Sequence, residues 1–101
     1  MKLIVQFDID ADIINVPEFI IEQKEKFKDL FLDWIYNENV KHNYWVEFTD
    51  SNGNMLRGLQ YRSDAFVKWL NDNIIENMSD KASIVAECVS EWSDDAPALQ
   101  F

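Results

Sequence analysis

Apolar and polar residues alternate along the first nine positions, and this pattern predicts a strand. In KLIVQFDI (2–9), every second residue from Leu3 to Ile9 is apolar, while the residues between them are mostly polar. Period-two alternation is typical of a strand with one buried face. Residues 10–16 show no comparable pattern, and we expect them to connect this strand to a helix.

Two segments repeat apolar residues at intervals of three and four, and both are predicted to be amphipathic helices. The first begins after Pro17, which a first helical turn tolerates, and ends near residues 36–39. The second begins at Ser63, a favourable N-cap residue, and ends near Asn77.

Two β-rich segments, 43–49 and 55–61, flank a strong turn signal at Asn52-Gly53. A two-residue turn there sets a register in which Val46 faces Leu59. The opposite face then carries Trp45, Glu47, Thr49, Leu56, Gly58 and Gln60. A last strand is predicted over 83–92, and its inward residues are expected to be Ile84, Ala86 and Cys88.

The resulting order of elements is β-α-β-β-α-β, which predicts an α+β fold of the ferredoxin-like class. We expect a four-stranded antiparallel sheet with two helices on one face and, from right-handed crossovers, the strand order 4-1-3-2. The alternative is a looser α+β sheet whose last strand pairs elsewhere. Residues 1–92 are predicted to form a single domain, and residues 93–101 a flexible acidic C-terminal tail.

The charge balance narrows the class of partner. The chain has 101 residues, of which 19 are acidic and 9 basic, so its net charge is −10. Direct nucleic-acid binding is disfavoured, because contacts to phosphates need clustered Lys and Arg. A basic partner protein is favoured, including one that itself binds nucleic acid. The single cysteine, Cys88, cannot form an internal disulfide, and the sequence contains no long apolar run, so we expect a cytoplasmic protein that does not enter a membrane.

The face of the predicted sheet that lies away from the helices is the candidate binding surface. An apolar stripe with carboxylates around it is typical of a protein interface. The candidate partner-binding residues are Ile4, Asp8, Asp10, Trp45, Glu47, Leu56, Val85, Glu87, Val89 and Glu91. Trp45 is the expected anchor, because tryptophans dominate interface energetics. The C-terminal tail or a second copy of the chain could cover the same face, so a homodimer stays an alternative.

The stretch QFDIDAD places Asp8, Asp10 and Asp12 at every second position. It does not fit a calcium loop, because Ile13 stands where glycine is needed and Phe19 where glutamate is needed. Asp8 and Asp10 point to one side of the strand end and could hold Mg²⁺, which leaves a metal-dependent nuclease-like enzyme as an alternative. A solvated strand end is the preferred interpretation, and we expect neither a metal nor a cofactor.

The sequence therefore predicts a small acidic protein without enzymatic activity that covers a basic surface of another protein. An inhibitor, an immunity protein and a nucleic-acid mimic share this physical basis, and a phage or mobile-element origin is kept open. A self-associating structural module is the remaining alternative.

Overall fold

The computed structural model describes residues 1–7, 10–92 and 95–101 and shows a mixed α+β fold. The strands are β1 (Lys2–Phe7), β2 (Asp10–Asn15), β3 (Trp45–Thr49), β4 (Met55–Leu59), β5 (Ser83–Val89) and β6 (Ala98–Gln100). The helices are α1 (Glu18–Glu22), α2 (Lys24–Ile35) and α3 (Ser63–Trp69), and α3 continues into a π-helical turn at Leu70–Ile74.

The strands form two separate sheets. Four of them have the order β5-β2-β1-β6, with β1 antiparallel to β2, β2 antiparallel to β5, and β6 parallel to β1. The other two, β3 and β4, pair with each other. The α+β class is confirmed, whereas the order 4-1-3-2 and the all-antiparallel ferredoxin-like topology are wrong.

The error in topology arises at residues 10–15, which form β2 instead of a connection. All six residues of β2 pair with β1. Ala11 and Ile14 are fully buried, and so is Asp12 at 1% exposure. A buried carboxylate in the middle of the strand masks the alternation on which sequence patterns depend.

Both helical segments predicted from the sequence are present, with one break. Gln23, at φ −122° and ψ 32°, separates α1 from α2. The apolar side of α2 buries Phe27, Phe31 and Ile35. Burying a large apolar side chain stabilises the fold by about 1.5–3 kcal/mol, so this stripe fixes α2 on the sheet.

The core lies between the helices and one face of the four-stranded sheet. Phe31 of α2 is fully buried at its centre. Its ring centroid lies within 5.3–5.8 Å of the ring centroids of Tyr61, Phe66, Trp69 and Phe101. Edge-to-face contacts of this kind add to the stabilisation that burial provides.

The C-terminal residues belong to this core. Leu99 in β6 is 1% exposed, and the Phe101 ring stacks on the Phe7 ring at 5.1 Å with an interplanar angle of 7°. The expectation of a flexible tail is therefore wrong for residues 98–101. Within the predicted tail, residues 93 and 94 lie outside the described part of the chain.

The edge strand β5 is irregular. Its pairing with β2 shifts register on both sides of Ile13, and Cys88 has a positive φ of 55°. Alternation is lost as a result, and two of the three residues expected to face inward do not: Ile84 is 36% exposed and the Cys88 side chain is also exposed, whereas Ala86 is half-buried.

Candidate functional site

The β3–β4 hairpin turns through residues 50–54. The Gly53 N–H donates to the Asp50 carbonyl at 3.1 Å, and the Asp50 N–H donates to the Asn54 carbonyl at 3.0 Å. Gly53 has φ 82°, which a three-residue turn with a glycine bulge requires. The Asp50 carboxylate accepts the N–H groups of Asn54 and Asn52, which lowers its pKa.

The hairpin is confirmed, but its register differs by one residue from the predicted one. Trp45 pairs with Leu59, and Phe48 pairs with Leu56. Since paired residues share a face, Trp45 and Leu56 project from opposite faces of the hairpin. The prediction that they lie together is wrong, because the turn has three residues instead of two.

The ten candidate residues do not form one surface. Trp45, Glu47 and Leu56 belong to the hairpin, which is not part of the four-stranded sheet. Ile4, Asp10, Val85, Glu87 and Val89 belong to that sheet, and Glu91 follows β5. Asp10 pairs with Phe7 and therefore shares the helix-covered side. Asp8 lies outside the described residues.

The sheet face that lies away from the helices is not bare. Ile4 and Ala11 project from it, yet they are only 3% and 0% exposed. The prediction that this face of the sheet is exposed is therefore wrong at the centre of the sheet.

The predicted anchor, Trp45, is half-buried by contacts within the chain. The His42 ring stacks on the Trp45 ring at 5.8 Å and 7°, and the Arg57 guanidinium lies 4.4 Å from the Trp45 ring centroid. His42 is itself fixed: Nε2 donates to the Ile35 carbonyl at 3.0 Å and Nδ1 accepts the Tyr44 N–H at 3.1 Å. These rings hold the base of the hairpin against the end of α2.

The outer part of the hairpin is exposed on both faces. We call residues 45–59 the hairpin arm. Phe48 is 50% exposed, Leu56 42% and Met55 65%. The Phe48 ring lies over Gly58, where an added Cβ would be only 3.2 Å from Cε1. The glycine therefore lets the aromatic ring lie close to the backbone of β4, on the face that Phe48 shares with Leu56.

Glu47 is the exposed carboxylate of β3. It lies directly opposite Arg57, but the guanidinium stacks on Trp45, and no ion pair within 4.0 Å joins Glu47 to any described residue. Its charge is therefore available to an outside group.

A second feature is a buried carboxylate that joins three distant elements. Asp12 of β2 accepts the Ser63 hydroxyl at 2.5 Å, the Arg62 guanidinium at 3.2 Å and the Cys88 N–H at 2.9 Å. Burial raises the pKa of the Asp12 carboxyl, but the hydrogen bonds from Ser63, Cys88 and Arg62 together outweigh burial and lower it. Asp12 thus links β2 to the start of α3 and to the irregular part of β5.

The pocket beside this carboxylate has a volume of about 380 Å³. It is lined by Asp12, Gln60, Tyr61, Arg62, Ser63, Asp64, Glu87 and Cys88. Sequence reasoning missed the link between Asp12 and Ser63, because the two residues are 51 positions apart and no local pattern joins them.

A row of carboxylates lies along the outer face of α2. Glu25, Asp29 and Asp33 are all exposed and are spaced by four residues, so they are neighbours on the helix surface. The only ion pair found for this row among the described residues is Lys24 with Glu25 at 3.9 Å. The four-residue spacing could have revealed this row from the sequence.

The described part of the chain contains neither a metal centre nor a membrane-spanning helix. Within residues 1–7, 10–92 and 95–101, no cluster of three or more His, Cys, Asp or Glu side chains could hold a metal ion. In the same residues no helix is long and apolar enough to cross a membrane. The proposed pair Asp8 and Asp10 is only half described, so that alternative stays a prediction.

No protein-family model matches the chain, and neither the curated proteins nor the solved structures contain a significant match to it.

Proposed function

We propose that this chain is a small acidic binding protein that covers a basic surface of a partner protein and holds it with the hairpin arm. The observation that carries the proposal is the exposure of Phe48 and Leu56, which pair on one face of a short hairpin, with Met55 exposed on its other face. Exposed apolar clusters on a soluble surface mark interaction sites.

The arm extends from the rest of the fold. Its strands pair with no strand of the four-stranded sheet in the described residues. The Cα radius of gyration is 15.0 Å, compared with about 13 Å for a compact chain of this length. A projecting arm can enter a groove that a compact domain cannot reach.

Charge supplies the second part of the proposal. A net charge of −10 steers the chain towards cationic surfaces, and the row Glu25, Asp29 and Asp33 keeps carboxylates in solvent. Asp33 lies in the last turn of α2, where helix geometry favours a cation. A residue that opposes its local environment is expected where function selects it.

The proposal covers three biological roles with one mechanism. An inhibitor, an immunity protein and a nucleic-acid mimic each present fixed carboxylates to a cationic groove, and an apolar contact then slows dissociation. The partner's identity would distinguish these roles.

The test starts with capture of the partner from the native host and continues with its purified form. Leu56→Lys is compared with Met78→Lys, which introduces the same charge at an apolar residue of matching exposure outside the sheets, 41% against 42%. We expect Leu56→Lys to weaken binding at least about tenfold, as expected for an anchor, and Met78→Lys to leave it nearly unchanged. Affinity should also fall as salt is added. Equal effects of the two variants, or an affinity independent of salt, would contradict the proposal.

A further inference from the structure

We propose that the outer edge of β3 binds an extended segment of the partner as an added antiparallel strand, with a Lys or Arg of that segment opposite Glu47. This inference rests on the proposed function and names the way in which the arm would be used. Addition of a strand to an exposed sheet edge is a recurring mode of peptide recognition.

On that edge the backbone of β3 carries donors and acceptors for which the described residues provide no backbone partner. Asp50 bonds with Asn54 and Tyr44 bonds with Gln60 across the hairpin, so hydrogen-bonded pairs alternate along the ladder at positions 44, 46, 48 and 50. The residues between them therefore turn their N–H and C=O groups outward. These residues are Trp45, Glu47 and Thr49.

The other sheet edges carry more features that block pairing than β3, whose one charged residue is Glu47. Edges are normally protected by bulges, short length, proline or charged side chains, lysine above all, and a glycine weakens a strand. β5 has two register shifts and the positive φ of Cys88, and β6 has only three residues. β4 contains Arg57 and Gly58. β3 is regular over five residues and contains no glycine, proline or lysine.

Glu47 selects the kind of strand that can bind. Its carboxylate is exposed and forms no ion pair with any described residue, since Arg57 stacks on Trp45. Opposite charges directly across an antiparallel pair are favourable and like charges are not. If β3 of a second copy of the chain paired here with its own Glu47 opposite this one, two carboxylates would face each other. A basic segment would instead neutralise the single Glu47 carboxylate.

The neighbours of Glu47 in β3 determine which residues should flank the Lys or Arg of the bound segment. Val46 and Phe48 lie on the other face of β3, and Phe48 is half exposed. Apolar residues on each side of the central cation would therefore pack against them. The recognised segment is extended, with alternating apolar and basic residues.

The test compares two capped peptides. One contains Thr-Val-Lys-Val-Thr, and in the other Glu replaces the Lys. Binding is measured by NMR. The backbone amide chemical shifts of Trp45, Glu47 and Thr49 are followed while each peptide is added to the full chain. We expect the Lys peptide to bind about fivefold more tightly than the Glu peptide. Glu47→Lys should reverse this preference, and Glu22→Lys, which changes the net charge equally at an exposed position of α1, should not.

A third peptide carries an N-methyl group on the central Lys, which removes the N–H that would bond to Glu47. It should lose most of its binding. If it binds as well as the unmodified peptide, strand addition is overturned, although the arm can still be the contact. An absent preference for Lys, or a dimer of the chain that excludes the peptide from β3, would also overturn the inference. The proposed function fails separately, when Leu56→Lys does not weaken binding of the partner.

Discussion

The hydroxyl of Ser63 donates a 2.5 Å hydrogen bond to the carboxylate of Asp12, across 51 residues of sequence. Asp12 is 1% exposed, and its other partners are the Cys88 N–H and the Arg62 guanidinium. One side chain thereby connects β2, α3 and β5.

Asp12→Ala should strongly destabilise the protein. The substitution leaves the Ser63 hydroxyl and the Cys88 N–H without their acceptor, and we expect a loss of about 3 kcal/mol in the free energy of unfolding. Urea titration measures this loss. Asp10→Ala on the same strand is the control and should cost less than about 0.5 kcal/mol. Similar losses for both variants would show that the network contributes little.

The same network should make stability depend on pH in the acidic range. Because the pKa of Asp12 is lower in the folded state than its ordinary value of 3.8, the unfolded chain binds the proton first. The contribution of Asp12 is then fully present above the unfolded pKa and is lost as pH falls through the folded pKa. The stability difference between wild type and Asp12→Asn should therefore shrink below about pH 4. A difference that stays constant down to the lowest pH at which the chain folds would refute this assignment.

Leu99→Ala tests whether the C-terminal strand belongs to the core. Leu99 is 1% exposed, and truncation of a buried leucine costs about 2–5 kcal/mol. Thermal or urea unfolding gives the value, and Gln100→Ala, at an exposed position of β6, provides the comparison. A flexible tail would instead show no effect of either change.

Asp33→Lys should stabilise the protein. It replaces the like-charge pair with Asp29 by an attractive one and places a cation at the C-terminal end of α2, for a gain of about 1 kcal/mol. Urea unfolding at low ionic strength would show the gain, which should shrink at 1 M salt. A loss of stability would mean that Asp33 has a structural role that the contacts do not reveal.

Trp45→Ala should loosen the hairpin arm without unfolding the core. The indole is held between His42 and Arg57, and the arm has no other strand to support it. Hydrogen exchange should show lost protection at β3 and β4 and retained protection at β1 and β2. Phe48→Ala, at an exposed position, should change exchange little. Uniform loss across the whole chain would contradict a separable arm.

The parts of the fold that local pattern specifies were predictable. Pro17 and Ser63 mark the starts of the helical segments, and Asn52-Gly53 marks the hairpin. The number of residues in the turn was not predictable, because a glycine at positive φ fits both a two-residue and a three-residue turn.

The parts that depend on distant contacts were not predictable. The buried carboxylate of Asp12 conceals the alternation of β2, and its partners at positions 62, 63 and 88 are far along the chain. β6 has only three residues, too few for a periodic signal. Because the sequence pattern reveals neither β2 nor β6, it assigns Trp45 and Leu56 to a sheet to which they do not belong.

The parallel pairing of β1 with β6 has a consequence for synthesis of the chain. Ile4 pairs with Ala98 and Val5 with Leu99, so β1 is synthesised long before the strand with which it pairs on this side. During translation, the edge of β1 stays unsatisfied until those residues leave the ribosome, and closing so long a loop is slow. Nascent chains stalled before residue 98 should therefore remain incompletely folded.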